Sequence, residues 1–157
     1  MILKTPEERR ALLERSKVVF MVGASANPTR PSYFVFKYLS THGFDVHPVN
    51  PAYADIDGVK CYPTLEAAAA AHGAPDIVDV FRKAEEVVPV VRDAISVHAK
   101  AVWFQYGVIN EEAITLADEA GLVVVVDRCM KVEHARFAGG LSAAGMNSGV
   151  ISSQRRR

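Results

Sequence analysis

Val18-Val19-Phe20-Met21-Val22, closed by Gly23, is the stretch on which the fold turns. Five successive apolar residues with no polar alternation describe a strand covered on both faces, as in a parallel sheet with helices on either side. Gly23 ends the run, and residues 24–30 form a loop leading to Pro31-Ser32. Proline is suited to the first turn of a helix, so a helix is predicted over about 33–41, with Gly43 just past its end. Strand, glycine, loop and helix in that order are the opening of an α/β unit.

The same alternation runs outward in both directions. Upstream, Thr5-Pro6-Glu7-Glu8 reads as a capped helix start, with Glu8 placed for a capping box and Ala11, Leu12 and Leu13 as its apolar stripe. Downstream, a second strand is predicted at 44–49, closed by Asn50-Pro51, and an irregular loop at 52–64 with a turn at Asp57-Gly58. Further strands are predicted at 77–81, 101–104 and 122–126. Helices are predicted at 65–72, near 86–97 (where Pro89 is tolerated only in the first turn) and from Asn110 to residue 120. Five buried strands alternating with helices predict an α/β, Rossmann-like, doubly wound parallel five-stranded sheet, expected in the order 3-2-1-4-5. One domain is expected over 1–137, followed by a Gly-, Ser- and Ala-rich tail, 138–157, expected to be disordered.

Charge narrows the function. The 157 residues carry 18 Lys+Arg and 18 Asp+Glu. Setting aside Arg155-Arg156-Arg157 leaves 15 basic against 18 acidic residues, a net charge of −3 over 1–154. A body of that sign lacks the field for a nucleic-acid or anionic-membrane partner. No apolar run approaches the ~20 residues that cross a bilayer. The charged N-terminus has no apolar middle region, so a cytoplasmic location is expected. Cys61 and Cys129 are too few for a disulfide scaffold, and with the histidines they show no metal-ligand spacing.

In such a sheet, ligands bind beyond the carboxyl ends of the strands. The predicted ends carry Arg30, Arg82, Lys83, Arg128 and Lys131, with Asp127 as the one acid. That edge reads as an anion site, reinforced by a helix N-terminus near Ser32. Gly23 stands alone where a nicotinamide site would have three glycines, and Asn50 occupies the place of the ribose-binding acid. Gly23-Ala24-Ser25-Ala26-Asn27 stops one residue short of a nucleophile elbow, and no histidine stands in a triad context. An NAD(P) oxidoreductase or a thioester hydrolase is therefore the alternative to a binding protein. Cys129 is open to two readings, a reactive thiol activated by Arg128 and Lys131 or a small residue packing at a strand end.

Several strings then agree in one order: Val22-Gly23-Ala24-Ser25 with Pro28, Arg30 and Pro31; Pro48-Val49-Asn50-Pro51; Asp76 to Arg82; Trp103 to Gly107; and Asp127 to His134. Over roughly 5–137 the chain resembles the single-domain CoA-binding proteins and the CoA-binding domain of the succinyl-CoA synthetase alpha subunit. The resemblance implies coenzyme A or an acyl-CoA as the small-molecule ligand. It puts Gly23, Ala24, Ser25 and Arg30 at the phosphates, Asn50, Pro51, Phe81 and Arg82 beside the nucleotide, and Gln105 and Cys129 along the pantetheine arm. The synthetase's phosphorylated histidine lies in a second domain for which this chain has no counterpart, so binding is implied without the ligase reaction. No catalytic residue, metal or second cofactor is assigned. A homo-oligomer or a partner subunit borrowing the site is compatible with the pattern, and so is a mixed disulfide between Cys129 and the CoA thiol.

Overall fold

The computed structural model describes residues 1–138. In chain order the elements are α1 (Pro6–Glu14), β1 (Val18–Val22), α2 (Pro31–Ser40), β2 (Asp45–Val49), β3 (Asp55–Ile56), β4 (Val59–Lys60), α3 (Leu65–His72), β5 (Ile77–Val80), α4 (Val87–Ser96), β6 (Ala101–Phe104), α5 (Glu111–Glu119), β7 (Val123–Val126) and α6 (Met130–Ala138). The 52–64 loop contains the β3–β4 hairpin, turned at Asp57-Gly58. Apart from Ala138, which closes α6, the tail expectation for 138–157 falls outside the described residues.

The α/β sheet is parallel and five-stranded, as expected, in the order β2-β1-β5-β6-β7. Counting only those strands along the chain, this is 2-1-3-4-5 rather than 3-2-1-4-5, so the third lies beside the first and the second is an edge. Pro48 explains why. Its carbonyl faces outward and accepts from the Tyr62 N–H at 2.9 Å, so its missing N–H falls on the open side. An interior β2 would leave a neighbour's carbonyl unpaired there. Asp76 fixes the other side, accepting from the Lys17 and Val18 N–H groups at 2.8 and 2.9 Å and so holding the start of β1 to the start of β5.

Alternate residues of each strand enter two cores. Phe20, Val22, Val78, Val80, Val102 and Phe104 face the layer that includes α3, α4 and α5. Val19, Met21, Ile77, Ala101 and Trp103 face the layer of α1, α2 and α6. Double winding is thus the consequence of apolar side chains on both sides of every strand. Among the described residues no helix is long and apolar enough to cross a membrane.

Histidines gather at the β2 margin. The His47 ring stacks on His72 with centroids 3.6 Å apart, and Tyr62 Oη lies 2.8 Å from His72 Nε2. On the opposite face Tyr38 Oη lies 2.8 Å from His134 Nδ1, with His42 nearby. Burial first, and then the neighbouring imidazole, lowers the pKa of both His72 and His134. Their neutral forms favour the native state, so this contribution is complete above the unfolded value of about 6.5 and is lost as pH falls below it. The urea midpoint of the wild type should fall relative to that of His134→Gln between about pH 7 and 5. A constant difference would contradict the assignment.

Candidate functional site

The observed strand order puts the reversal of winding between β1 and β5, and the loops beyond those two strands meet there. Gly23, at φ +85°, lets the chain turn directly against Phe81, where any Cβ would overlap the Phe81 carbonyl oxygen. Gly23 N–H donates to the Val49 carbonyl at 2.9 Å and Phe81 N–H to the Val22 carbonyl at 2.8 Å, which ties three loops together at their roots. Asn50 Nδ2 then donates to the Ala24 carbonyl at 2.9 Å, latching the loop after β2 to the loop after β1.

Above this junction opens a cleft of about 750 Å³, within the range of small-molecule sites. Gly23, Ser25, Arg30, Asn50, Phe81, Arg82, Gln105 and Cys129 line it. The other two residues singled out from the sequence do not line it. Ala24 is buried, where it serves through its carbonyl, and Pro51 is exposed.

The charge of the cleft differs in detail from the sequence expectation. Arg30, Arg82 and Lys83 line it together with a single acid, Glu86, whose carboxylate is 3.7 Å from Arg82 Nε. Arg128 and Lys131 do not line it. Arg128 Nη1 bonds its neighbour's carbonyl at 2.9 Å, and Lys131 Nζ lies 5.6 Å from the centre of the Tyr38 ring. Asp127 accepts from the Gly107 N–H at 2.8 Å and so shapes the loop after β6. Arg82 Nε is buried and has no hydrogen-bond partner. No side chain caps α2, whose N-cap position is Arg30; Pro31 brings no N–H and the Tyr33 N–H donates to the Arg30 carbonyl at 3.1 Å, so the Ser32 N–H is the first-turn donor left for the cleft.

Ser25 is held from three sides. Its N–H donates to the buried Ser32 Oγ at 3.1 Å, its Oγ accepts from the Asn27 N–H at 3.0 Å, and Tyr53 Oη lies 3.4 Å away. Those partners shape a loop rather than activate a nucleophile. Tyr53 and Tyr106 are cleft residues that sequence reading does not assign to the site, whereas it places Ser32 there as a helix start. Ser32 and Tyr106 follow a predicted boundary directly, but Tyr53 comes from a loop that the pattern left irregular.

At the far end Gln105 Oε1 accepts from the Met130 N–H at 3.3 Å, and Cys129 closes the wall at the start of α6. Burial pushes the Cys129 thiol up, and the Asp79 charge adds to that rise. The Val132 and Lys131 backbone N–H groups pull the other way by bonding the sulfur, and the Lys131 charge is the smallest contribution. The cationic activation expected from Arg128 and Lys131 is therefore not what governs this thiol. Cys61 lies apart, its Sγ 3.5 Å from the Asn50 carbonyl.

Comparison with known proteins gives the arrangement its context. A family model described as CoA binding domain matches residues 17–135. Uncharacterized protein YneT of Bacillus subtilis (strain 168) is 38% identical over 128 residues, covering 82% of this chain and 93% of YneT. A hypothetical protein from Pyrococcus horikoshii OT3 superposes with a TM-score of 0.80 at 45% identity, over 85% of this chain and 92% of its own. A Thermus thermophilus protein gives 0.78 at 32% identity, over 85% and 98%. The match spans every strand and the whole cleft, and the chain belongs to the CoA-binding domain family.

Proposed function

We propose that the cleft binds coenzyme A or an acyl-CoA and that the protein works as a binding module for that ligand. The observation that carries this reading is the gathering of Arg30, Arg82 and Lys83 against one acid, Glu86, around the Gly23 turn, with Arg82 Nε making no hydrogen bond and its carboxylate partner 3.7 Å away. An Nε held from its carboxylate partner at 3.7 Å, too far for a hydrogen bond, favours a ligand that supplies a closer acceptor. Phosphates of the nucleotide would lie between Arg30, Arg82, Lys83 and the Gly23–Ser25 turn, with the adenine against Phe81. The thiol arm would run toward Gln105 and Cys129. Glu86 beside Arg82 keeps the site from being uniformly cationic, which favours one small anion over a polymer.

Thermal shift with CoA, dephospho-CoA, acetyl-CoA, NAD and NADP tests the reading. CoA at a hundredfold excess over Kd should stabilise the native state by about 2.7 kcal/mol. Dephospho-CoA should bind more weakly if a cation meets the 3′-phosphate. Arg82→Ala should weaken CoA ten- to a hundredfold, since a charge-assisted hydrogen bond contributes about 1.5–3 kcal/mol. A response to NAD with none to CoA would overturn the proposal.

A further inference from the structure

Charge is divided unevenly along the cleft. Its charged lining residues, Arg30, Arg82, Lys83 and Glu86, all come from the start of α2 or the loop after β5. Among the described residues, the lining supplied by the loop after β6 and the head of α6 is uncharged: Gln105, Tyr106, Gly107, Val108 and Cys129. The strand order β1-β5-β6-β7 sets this uncharged stretch on the β7 side of the cationic one.

The charges that the chain carries near the uncharged end are engaged elsewhere. Arg128 Nη1 donates to the Asp127 carbonyl, and Lys131 Nζ lies over the Tyr38 ring. Arg136 Nε is 3.3 Å from Glu133 Oε2, so the charges that α6 brings to bear on Tyr106 are of both signs. Asp79, whose charge acts on Cys129 from β5, is an acid as well. It is fully buried, and neither of its oxygens has a hydrogen-bond partner. A carboxylate brought to this end would give up water without gaining a cation, which is the costly way to bury a charge. A neutral acyl chain escapes that cost, and Val108 and Cys129, 7% and 8% exposed, offer it apolar surface.

We propose that the cleft selects among CoA thioesters by the charge of the acyl group. It takes free CoA and neutral acyl-CoAs such as propionyl-CoA, and rejects those whose acyl group ends in a carboxylate. This rests on the CoA reading of the cleft, with the phosphates at Arg30, Arg82 and Lys83 and the thiol end toward Gln105 and Cys129. The cations orient the ligand through its phosphates, and the uncharged lining at the other end sets which acyl group it can carry.

Propionyl-CoA and malonyl-CoA are a matched pair for the test, because the terminal methyl of one is a carboxylate in the other. Titration calorimetry of the full chain with CoA, propionyl-CoA and malonyl-CoA reads the selection. CoA and propionyl-CoA should bind, and malonyl-CoA should bind roughly tenfold or more weakly than propionyl-CoA. No binding of any of the three would remove the cleft reading and the selection with it. CoA binding without propionyl-CoA binding, or a smaller gap between the pair, overturns the selection while leaving the cleft reading intact. Two variants locate the acyl group. Tyr106→Arg supplies a cation at a lining position that is 57% exposed, and should narrow the gap roughly tenfold. Arg82→Ala should weaken both ligands and leave their ratio where it was. A ratio unmoved by Tyr106→Arg, or moved instead by Arg82→Ala, would put the acyl group elsewhere and overturn the proposal.

Discussion

Gly23→Ala is expected to lower the stability of the native state by roughly 2–5 kcal/mol and to abolish measurable CoA binding at concentrations that saturate the wild type. Two costs add at this position. The backbone stands at φ +85°, where an L side chain is strained by about 1–2 kcal/mol. The added methyl would also overlap the Phe81 carbonyl oxygen, with its carbon at 2.9 Å and Arg82 Cδ at 3.0 Å. The Arg82 side chain can swing aside. The Phe81 backbone cannot, because its N–H is bonded to the Val22 carbonyl at the end of the β1–β5 ladder. Relief therefore has to come from separating the loops that form the cleft floor. Gly43→Ala is the control: φ there is +93° and a methyl would meet nothing within 4 Å, so only the strain of about 1–2 kcal/mol applies. Chemical denaturation of the two variants reads the difference. Equal losses would show that the contact with Phe81 does not govern Gly23, and binding retained in Gly23→Ala would show that the floor tolerates opening.

What could be read in the sequence was whatever local patterning controls. Continuous apolar runs made the strands of the sheet visible, and Thr5, Pro31 and Asn110 marked helix starts that the structure keeps. Strand order was less accessible, because all right-handed α/β windings share the same alternation. Pro48 held the missing information, and its weight as an edge residue becomes plain only once the outward carbonyl is seen bonded to Tyr62. Helix α6 went unread because Lys131, Glu133, His134 and Arg136 interrupt its apolar pattern, and two of those side chains are buried through pairing rather than apolarity. The same limit applies at the cleft. Cations could be placed on the sheet edge by their position in the chain, but which of them face inward depends on side-chain partners. Lys131 goes to Tyr38 and Arg128 to a carbonyl, while Arg82 lines the cleft with an Nε that makes no hydrogen bond. Asp79 was hidden inside a strand reading, where an acid between two valines looked like one more buried position.

The second large effect is expected at Glu133, the acid that fastens α6 to α1. Its Oε1 accepts from Arg9 Nε at 2.7 Å, and Oε2 lies 3.3 Å from Arg136 Nε. The Arg9 and Glu133 side chains are 7% and 3% exposed, so neither charge has water as an alternative. Glu133→Ala leaves the Arg9 guanidinium buried without its partner, which costs about 3–5 kcal/mol and lowers the melting temperature by roughly 10 °C. The pair itself is a poor source of net stability, because desolvation offsets most of its attraction. Arg9→Met with Glu133→Leu should therefore recover most of what Glu133→Ala loses. Glu14→Ala breaks only the exposed pair with Arg10 at 3.1 Å and should cost under about 1 kcal/mol. The site should feel the buried pair as well, since the Glu133 N–H bonds the Cys129 carbonyl at 2.9 Å and the head of α6 carries the far wall of the cleft. In the double apolar variant α6 stays docked, and CoA binding should return along with stability. A double variant no more stable than Glu133→Ala would mean that α6 is held by the charges themselves rather than by burial of its inner face.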